Sequence, residues 1–229
     1  MNRIIIEIWS DLVCPWCWIG KRKLEQALTT FEHADRVQVE HRAFRLMPGL
    51  GAQPSRTMLL ARLGSPQRAD EMLAHVEAEA AKVGLAYRLA DTWIGDTVDL
   101  HRLVKLAASR GVGDAAIERF YRAGFTDNEA VFEPATQVRL MREVGLERNE
   151  IDTVLTTDAY AAEVEQDQQA LLARGQQGVP FFLINGRQAV SGGQPLAVFL
   201  QALQGAWASQ GPATADVAVC SPAGCDVTP

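Results

Sequence analysis

Apolar positions cluster toward the two ends of the chain in patterns that suit strands. After Arg3, Ile4-Ile5-Ile6-Glu7-Ile8-Trp9 is a nearly continuous apolar run over residues 3–9, as a buried strand requires. Val37-Gln38-Val39-Glu40-His41 alternates with period two, the pattern of a strand with one wet face. Further on, Phe181-Phe182-Leu183-Ile184 runs into Asn185-Gly186 and then Arg187-Gln188-Ala189-Val190. Asn-Gly between two such runs predicts a hairpin with a type I′ turn. Both central residues of that turn need positive φ, which Asn and Gly tolerate.

Between these ends the period becomes helical. A first helix is expected from about residue 14 to 31. Ser65 before Pro66 reads as an N-cap with proline at the first helical position. The helix it opens carries Met72, Val76 and Val83 on one face and stops at Gly84. Leu100, Leu103, Val104 and Ala107 form another face before Gly111, and Ile117, Phe120, Tyr121 and Gly124 a third. Val138, Met141 and Val144 end at Gly145. Asn149 and Asp158 are expected to cap two more helices, the second stopping near Gly175. A last amphipathic helix carries Leu196, Phe199, Leu200, Leu203 and Trp207.

The order is β-α-β, a long helical block, then β-β-α. A right-handed crossover makes the first two strands parallel. These parts assemble into an α/β chain, a thioredoxin-like fold with a large inserted helical subdomain. The expected boundaries are 1–47 plus 166–207 for the thioredoxin-like domain and 48–165 for the insert, which is too long to be a loop. Residues 208–229 form a C-terminal tail, where Ser, Gln, Gly, Pro, Ala, Thr and Asp take over.

Composition narrows the function classes. The 229 residues are 48% apolar and 22% charged, an ordinary globular balance. The net charge of −6 makes a poor general binder of phosphate backbones, so no nucleic acid partner is expected. No apolar stretch approaches the ~20 residues of a membrane span, so no membrane partner is expected either. The apolar run after the basic start is interrupted by Glu7, and no small-residue cleavage site follows. It therefore reads as a strand rather than a leader, and the expected location is the cytoplasm.

The four cysteines are Cys14, Cys17, Cys220 and Cys225, too few for a secreted disulfide scaffold. Cys14-Pro15-Trp16-Cys17 lies where the first strand meets the first helix. A CxxC alone is ambiguous, because zinc sites use the same spacing. At a helix N-terminus, free N–H groups and the helix dipole stabilise an anion. They lower a thiol pKa from ~8.5 into a range of about 3.5–7.5. Cys14 is thus the expected nucleophile, exposed and partly ionised. Cys17, one turn on, is the expected buried thiol that resolves a mixed disulfide. Pro15 suits the first turn because its missing N–H would be unpaired anyway. Trp16 is expected to be exposed, offering substrate a flat apolar surface. A proline entering a strand after Gly178-Val179 is a candidate cis peptide, and against the CxxC the Val179 backbone would pair with an extended substrate. Without the CxxC, Pro180 would read as an ordinary strand-edge proline.

The segment Ser10-Asp11-Leu12-Val13-Cys14-Pro15-Trp16-Cys17-Trp18-Ile19-Gly20 resembles the active-site segment of the DsbA-like thioredoxin superfamily, in its FrnE-type branch. Gly178-Val179-Pro180-Phe181-Phe182 is similar to that family's cis-proline loop, and Ala123-Gly124-Phe125-Thr126 to a segment of its helical insert. Ser191-Gly192-Gly193-Gln194 resembles a family Ser-Gly-Ala-Gln, with Gly193 in place of alanine. The resemblance spans about residues 4–207. It implies thiol–disulfide oxidoreductase or isomerase activity with no required cofactor. The implied partners are disulfide-containing or thiol client proteins, with glutathione as co-substrate or a thioredoxin-type reductant. Periplasmic members carry histidine between the cysteines where this chain has Trp16, which implies a less oxidising protein. The alternative is a glutathione-dependent isomerase or transferase of the kappa-class or hydroxychromene-carboxylate isomerase type. Those proteins typically carry serine where Cys14 stands. A third class is a non-catalytic binding or chaperone-like protein.

Other residues carry open readings. Asp11 either caps the turn or accepts the proton of Cys17. Cys220-Ser221-Pro222-Ala223-Gly224-Cys225 is an accessory redox pair, a structural disulfide or two free thiols. No metal site is expected, since a four-cysteine zinc site would occupy the nucleophile. Trp9 and Trp18 read as core. His101 reads as lying on the polar side of its helix. Arg102 and Lys105 read as a solvated face with an outside claim on glutathione carboxylates.

Overall fold

The computed structural model describes residues 3–210, so Cys220 and Cys225 lie outside the described residues. Strand β1 (Ile4–Ser10) leads into helix α1 (Pro15–Thr30) and back to β2 (Val37–Ala43), which pairs parallel with β1 from Ile4↔Val37 to Ser10↔Ala43. After the helical layer, β5 (Phe181–Ile184) and β6 (Gln188–Ser191) form the hairpin. The sheet order is β2-β1-β5-β6, with β5 antiparallel to both neighbours. Central β1 is therefore mostly apolar and mostly buried, with Ile5 exposed and Glu7 half-buried, whereas β2 at the edge is mostly half-buried and lacks the clean alternation its sequence suggests.

The hairpin forms as its sequence dictates. Asn185 and Gly186 both take positive φ, 49° and 68°, and Arg187 N–H donates to Ile184 O at 3.1 Å. Asn185 also clamps the central strand. Its Oδ1 accepts from Ile5 N–H at 2.9 Å and its N–H donates to Ile5 O at 2.8 Å.

The helical layer comprises α2 (Ser55–Leu63), α3 (Pro66–Ala81), α4 (Val98–Ser109), α5 (Gly113–Arg122), a π-helical turn (Ala123–Asp127), α6 (Pro134–Glu143), α7 (Arg148–Thr156) and α8 (Ala161–Leu172). Short strands β3 (Gln53–Pro54) and β4 (Trp93–Ile94) pair between them, and α9 (Leu196–Ala208) closes the chain. Ser65 caps α3 by accepting from Arg68 N–H. The buried face of α3 is Ala69, Val76 and Ala80, and Met72 points outward, contrary to the sequence reading. Asn149 and Asp158 are not caps either. Glu147 precedes α7 and Tyr160, at φ 64°, precedes α8; neither makes a side-chain capping bond. In these two helices tertiary packing places the start, and the cap-forming residues fall a position or two away from it.

Two cores flank α1. Ile4, Ile6 and Ile8 of β1 pack with Leu24, Ala27, Phe182, Ile184, Phe199 and Leu203 on the sheet side. On the other side Cys14, Cys17, Trp18 and Ile19 share a cluster with the buried residues of α3 to α7. Buried Lys21, among Glu25, Asp114 and Glu118, ties α1 to α5, and charge pairing offsets the cost of its burial.

Candidate active site

The turn between β1 and α1 is held by the backbone. Cys14 N–H donates to Asp11 O at 3.1 Å, and Cys17 N–H donates to Cys14 O at 3.0 Å. Cys14 is itself the N-cap of α1, extended at φ −95°, with Pro15 at the first helical position. Its sulfur therefore lies at the positive end of a 16-residue helix. Both thiols are free.

The Val179–Pro180 peptide bond is cis, and Cys14 Sγ lies 3.7 Å from Val179 O. The cis-proline loop can approach because residue 20 is glycine. A Cβ on Gly20 would meet Pro180 Cγ at 3.0 Å and Phe182 Cζ at 3.1 Å. Pro180 O in turn accepts from Gly192 N–H at 2.8 Å, which fixes the following loop.

Cys14 is not exposed as its motif suggests: only 6% of its surface is open. The insert folds over the helix end, so Cys14 belongs to the insert's apolar cluster. Trp16 is also half-buried rather than free. Its ring lies 6.1 Å from that of His75, and a Cβ on Gly193 would come to 3.3 Å of Trp16 Cε3. Glycine at 193 thus leaves the room that the large Trp16 side chain takes.

Cys17 is deeper, at 1% exposure. Burial pushes its thiol well above the ordinary range, and its hydrogen bond to Cys14 adds to this. The buried carboxylate of Asp11 lies near enough to Cys17 for its charge to push that thiol further up. Asp11 Oδ1 accepts from Thr97 Oγ1 at 2.7 Å and from Val13 N–H at 3.5 Å, while Oδ2 accepts from Leu46 N–H at 2.6 Å. It therefore caps the turn and also places an ionisable group beside Cys17.

Two tyrosines grip the same turn. Tyr87 Oη donates to Pro15 O at 2.8 Å, and Tyr121 Oη donates to Asp11 O at 3.4 Å. Burial, with the cysteines alongside, pushes both hydroxyls up, so they remain donors. Trp18 stacks on Tyr87 at 5.6 Å and Tyr121 at 5.7 Å, and its Nε1 donates to Glu118. Thr97, Leu46 and Tyr87 went unnoticed in the sequence, because no local spacing links them to the CxxC. Tyr121 was legible as a helix-face residue but not as a ligand of this turn.

The remaining sequence candidates sort by packing. Trp9 and Trp18 are core, as read. His101 is 3% exposed on α4, not on a polar face, with Nε2 at 3.6 Å from Asp11 Oδ1. Arg102 is buried and donates to the carbonyls of Val154, Thr157 and Ala159 at the end of α7. Lys105 pairs with Asp167 of α8. Neither is free for a glutathione carboxylate. No group of three or more metal-ligating side chains occurs among the described residues. No helix among them is long and apolar enough to cross a membrane.

A model of the DSBA-like thioredoxin domain matches residues 5–204. A probable DsbA oxidoreductase from Streptomyces coelicolor is 42% identical, with a TM-score of 0.89 over 99% of this chain and 100% of that one. The cytosolic disulfide reductase DsbM from Pseudomonas aeruginosa shares the fold at 18% identity and a TM-score of 0.64, over 90% of this chain and 99% of its own. The uncharacterized protein YwbO of Bacillus subtilis is 25% identical over 203 residues, 86% of this chain and 94% of its own.

Proposed function

Because the chain belongs to the family of DSBA-like thioredoxin domains, we propose that it is a thiol–disulfide oxidoreductase in which Cys14 attacks and Cys17 resolves. The observation that carries this reading is the sulfur of Cys14, at the N-terminus of α1 and against the Val179 carbonyl before a cis proline. An incoming disulfide aligns along Val179, whose backbone offers strand-like hydrogen bonds. The Cys14 thiolate attacks one sulfur, and the client's other sulfur leaves as thiolate. Cys17 then attacks the mixed disulfide. The Cys14–Cys17 disulfide forms, the second client thiolate leaves, and the client has gained two electrons.

Cys17 must lose a proton before it attacks, and its burial makes that loss costly. Asp11 is the proposed acceptor, since its carboxylate is buried with the thiol and held in place by Thr97 and Leu46. The proposed setting is the cytoplasm, where the redox poise favours reduction or isomerisation of client disulfides. The cytosolic disulfide reductase DsbM from Pseudomonas aeruginosa has been solved with GSH, which supports a thiol of that class as the reductant here. The intact Cys14 distinguishes this reading from the glutathione-dependent isomerase reading.

The test is reduction of insulin by dithiothreitol with wild type and Cys14→Ser in parallel. Wild type is expected to accelerate precipitation, and Cys14→Ser to run at the uncatalysed rate. Full activity in Cys14→Ser would end the redox reading.

A further inference from the structure

Asp11 is sealed from solvent, so a proton it takes from Cys17 needs somewhere to go. We propose that His101 and His41 carry that proton from Asp11 to the protein surface through a one-water cavity between them; this rests on the redox reading of Cys14 and Cys17.

Four observations carry it. His101 Nε2 is buried, without a hydrogen-bond partner, 3.6 Å from Asp11 Oδ1. That is just beyond direct hydrogen-bond reach and close enough for a small rotation of either side chain to close it. His101 also lines a small cavity of about 10 Å³, together with Ser10, Leu12, His41 and Lys105. This is about the room that one water occupies. His41, which lines the same cavity, likewise has a buried and unpartnered Nδ1. Its other nitrogen, Nε2, is 3.1 Å from Oδ1 of Asp114, a carboxylate whose side chain is 64% exposed. Finally, His41 also lines a surface groove of about 630 Å³ with Arg42, Lys105 and Asp114. Two imidazoles thus line one cavity, with a carboxylate next to each.

The other charged groups around the cavity do not compete for this role. Arg42 of β2 is held by Glu7, Glu40 and Asp167, and Lys105 of α4 by Asp167 of α8. Tyr121 of α5 is raised and committed to Asp11 O, and Thr97 to Asp11 Oδ1. Imidazole is the side chain that both takes and gives a proton near neutral pH, and here two of them face one cavity. The transfer balances simply. Cys17 S–H gives its proton to Asp11, Asp11 passes it to His101 Nε2, a water entering the cavity takes a proton from His101 and gives one to His41 Nδ1, and His41 releases one from Nε2 toward Asp114 and the groove. No electrons move in this branch. His101 acts through Asp11 and is a positioning and proton-passing residue rather than a catalytic one.

The test uses the full chain with Cys220→Ser and Cys225→Ser, so that the signal belongs to Cys14 and Cys17. The probe is 5,5′-dithiobis(2-nitrobenzoate). Attack by Cys14 releases the first thionitrobenzoate, and attack by Cys17 releases the second. His101→Gln keeps a polar side chain but cannot carry the proton. The second phase is expected to slow by ~10-fold near neutral pH and to change its pH profile, with the first phase unchanged. His41→Gln, at the rim and remote from the fold's centre, is expected to slow the second phase by a smaller factor. Unchanged second phases in both variants between pH 5 and 9 would overturn the relay and leave the Cys14–Cys17 reading intact. Equal slowing of both phases would show a structural role and also overturn it. If His101→Gln does not fold, an unaffected second phase in His41→Gln does the same. A wild type without a first phase would instead remove the redox reading on which the relay rests.

Discussion

The two faces of α1 are packed by different chemistry. Toward the sheet, Leu24 and Ala27 meet isoleucines of β1 and the edge-to-face pair Phe182–Phe199, whose centroids are 4.9 Å apart. That core is aliphatic and aromatic. Toward the insert, Cys14, Cys17 and Trp18 pack with Tyr87, Tyr121 and Phe125, and the nearest buried polar groups are Asp11, Thr97 and His101. The sheet thus fixes where the reactive turn points, because β1 and the cis-proline loop set its frame. The insert fixes what the turn can do, because its side chains set burial, hydrogen bonding and charge around both thiols. A cysteine pair supplied by one layer has its environment supplied by the other.

The largest effect expected from breaking this division is at Trp18. Trp18→Ala removes the ring stacked between Tyr87, Tyr121 and the α5 carboxylate Glu118, and should cost about 3–5 kcal/mol in denaturant unfolding. It should also slow release of the second thionitrobenzoate, because both tyrosines lose their support. A stability loss with both thiol phases intact would mean that the insert does not set the site's environment.

A matched pair of smaller changes sharpens the comparison. Tyr87→Phe deletes the bond to Pro15 O and should cost about 1 kcal/mol. Ile6→Val in the sheet core should cost a similar 0.5–1.5 kcal/mol. The two are expected to match in stability and differ in chemistry, with Tyr87→Phe altering the rate of Cys14 attack and Ile6→Val leaving it alone. Equal rates in the two would erase the distinction.

The smallest effect at neutral pH is a titration. Cys17 is raised in the folded chain, so the folded state holds its proton above the pH at which the unfolded chain releases it. Stability from this source is complete below the ordinary thiol value of about 8.5 and falls as pH rises beyond it. Tyr87 and Tyr121 add to the same fall at still higher pH. Melting temperatures of the reduced protein should therefore drop above pH ~8.5, and Cys17→Ala should flatten the first part of that drop. A flat profile in wild type would place Cys17 in a wetter setting than its 1% exposure implies.

Much of this frame was legible in the residues. The isoleucine run, the CxxC at a strand-to-helix junction and the Asn-Gly turn each act over a few positions, so periodicity and turn chemistry suffice to read them. The cis proline was legible from its place after Gly178-Val179 before a strand. Short-range rules failed where packing outvotes them. Met72 satisfies helical spacing and still faces water, because the neighbouring helices bury Ala69, Val76 and Ala80 instead. His101 and Arg102 carry polar side chains on an apolar helix and were read as solvated, yet both are buried. One faces Asp11 and the other closes the end of α7.

By itself the sequence determined the order of the four main-sheet strands and of the helices beside them, the turn that joins the hairpin, and which two cysteines share a helix end. Each depends on interactions between residues near one another along the chain. Helix α2 and the short strands β3 and β4 were not legible in the sequence. The tertiary structure alone decided how deep Cys14 lies, that Gly193 makes room for Trp16, and that Tyr87, Thr97, His101 and His41 gather around one turn. Those residues come from separate elements, and their chemistry arises only when the insert is folded onto the helix that carries the thiols.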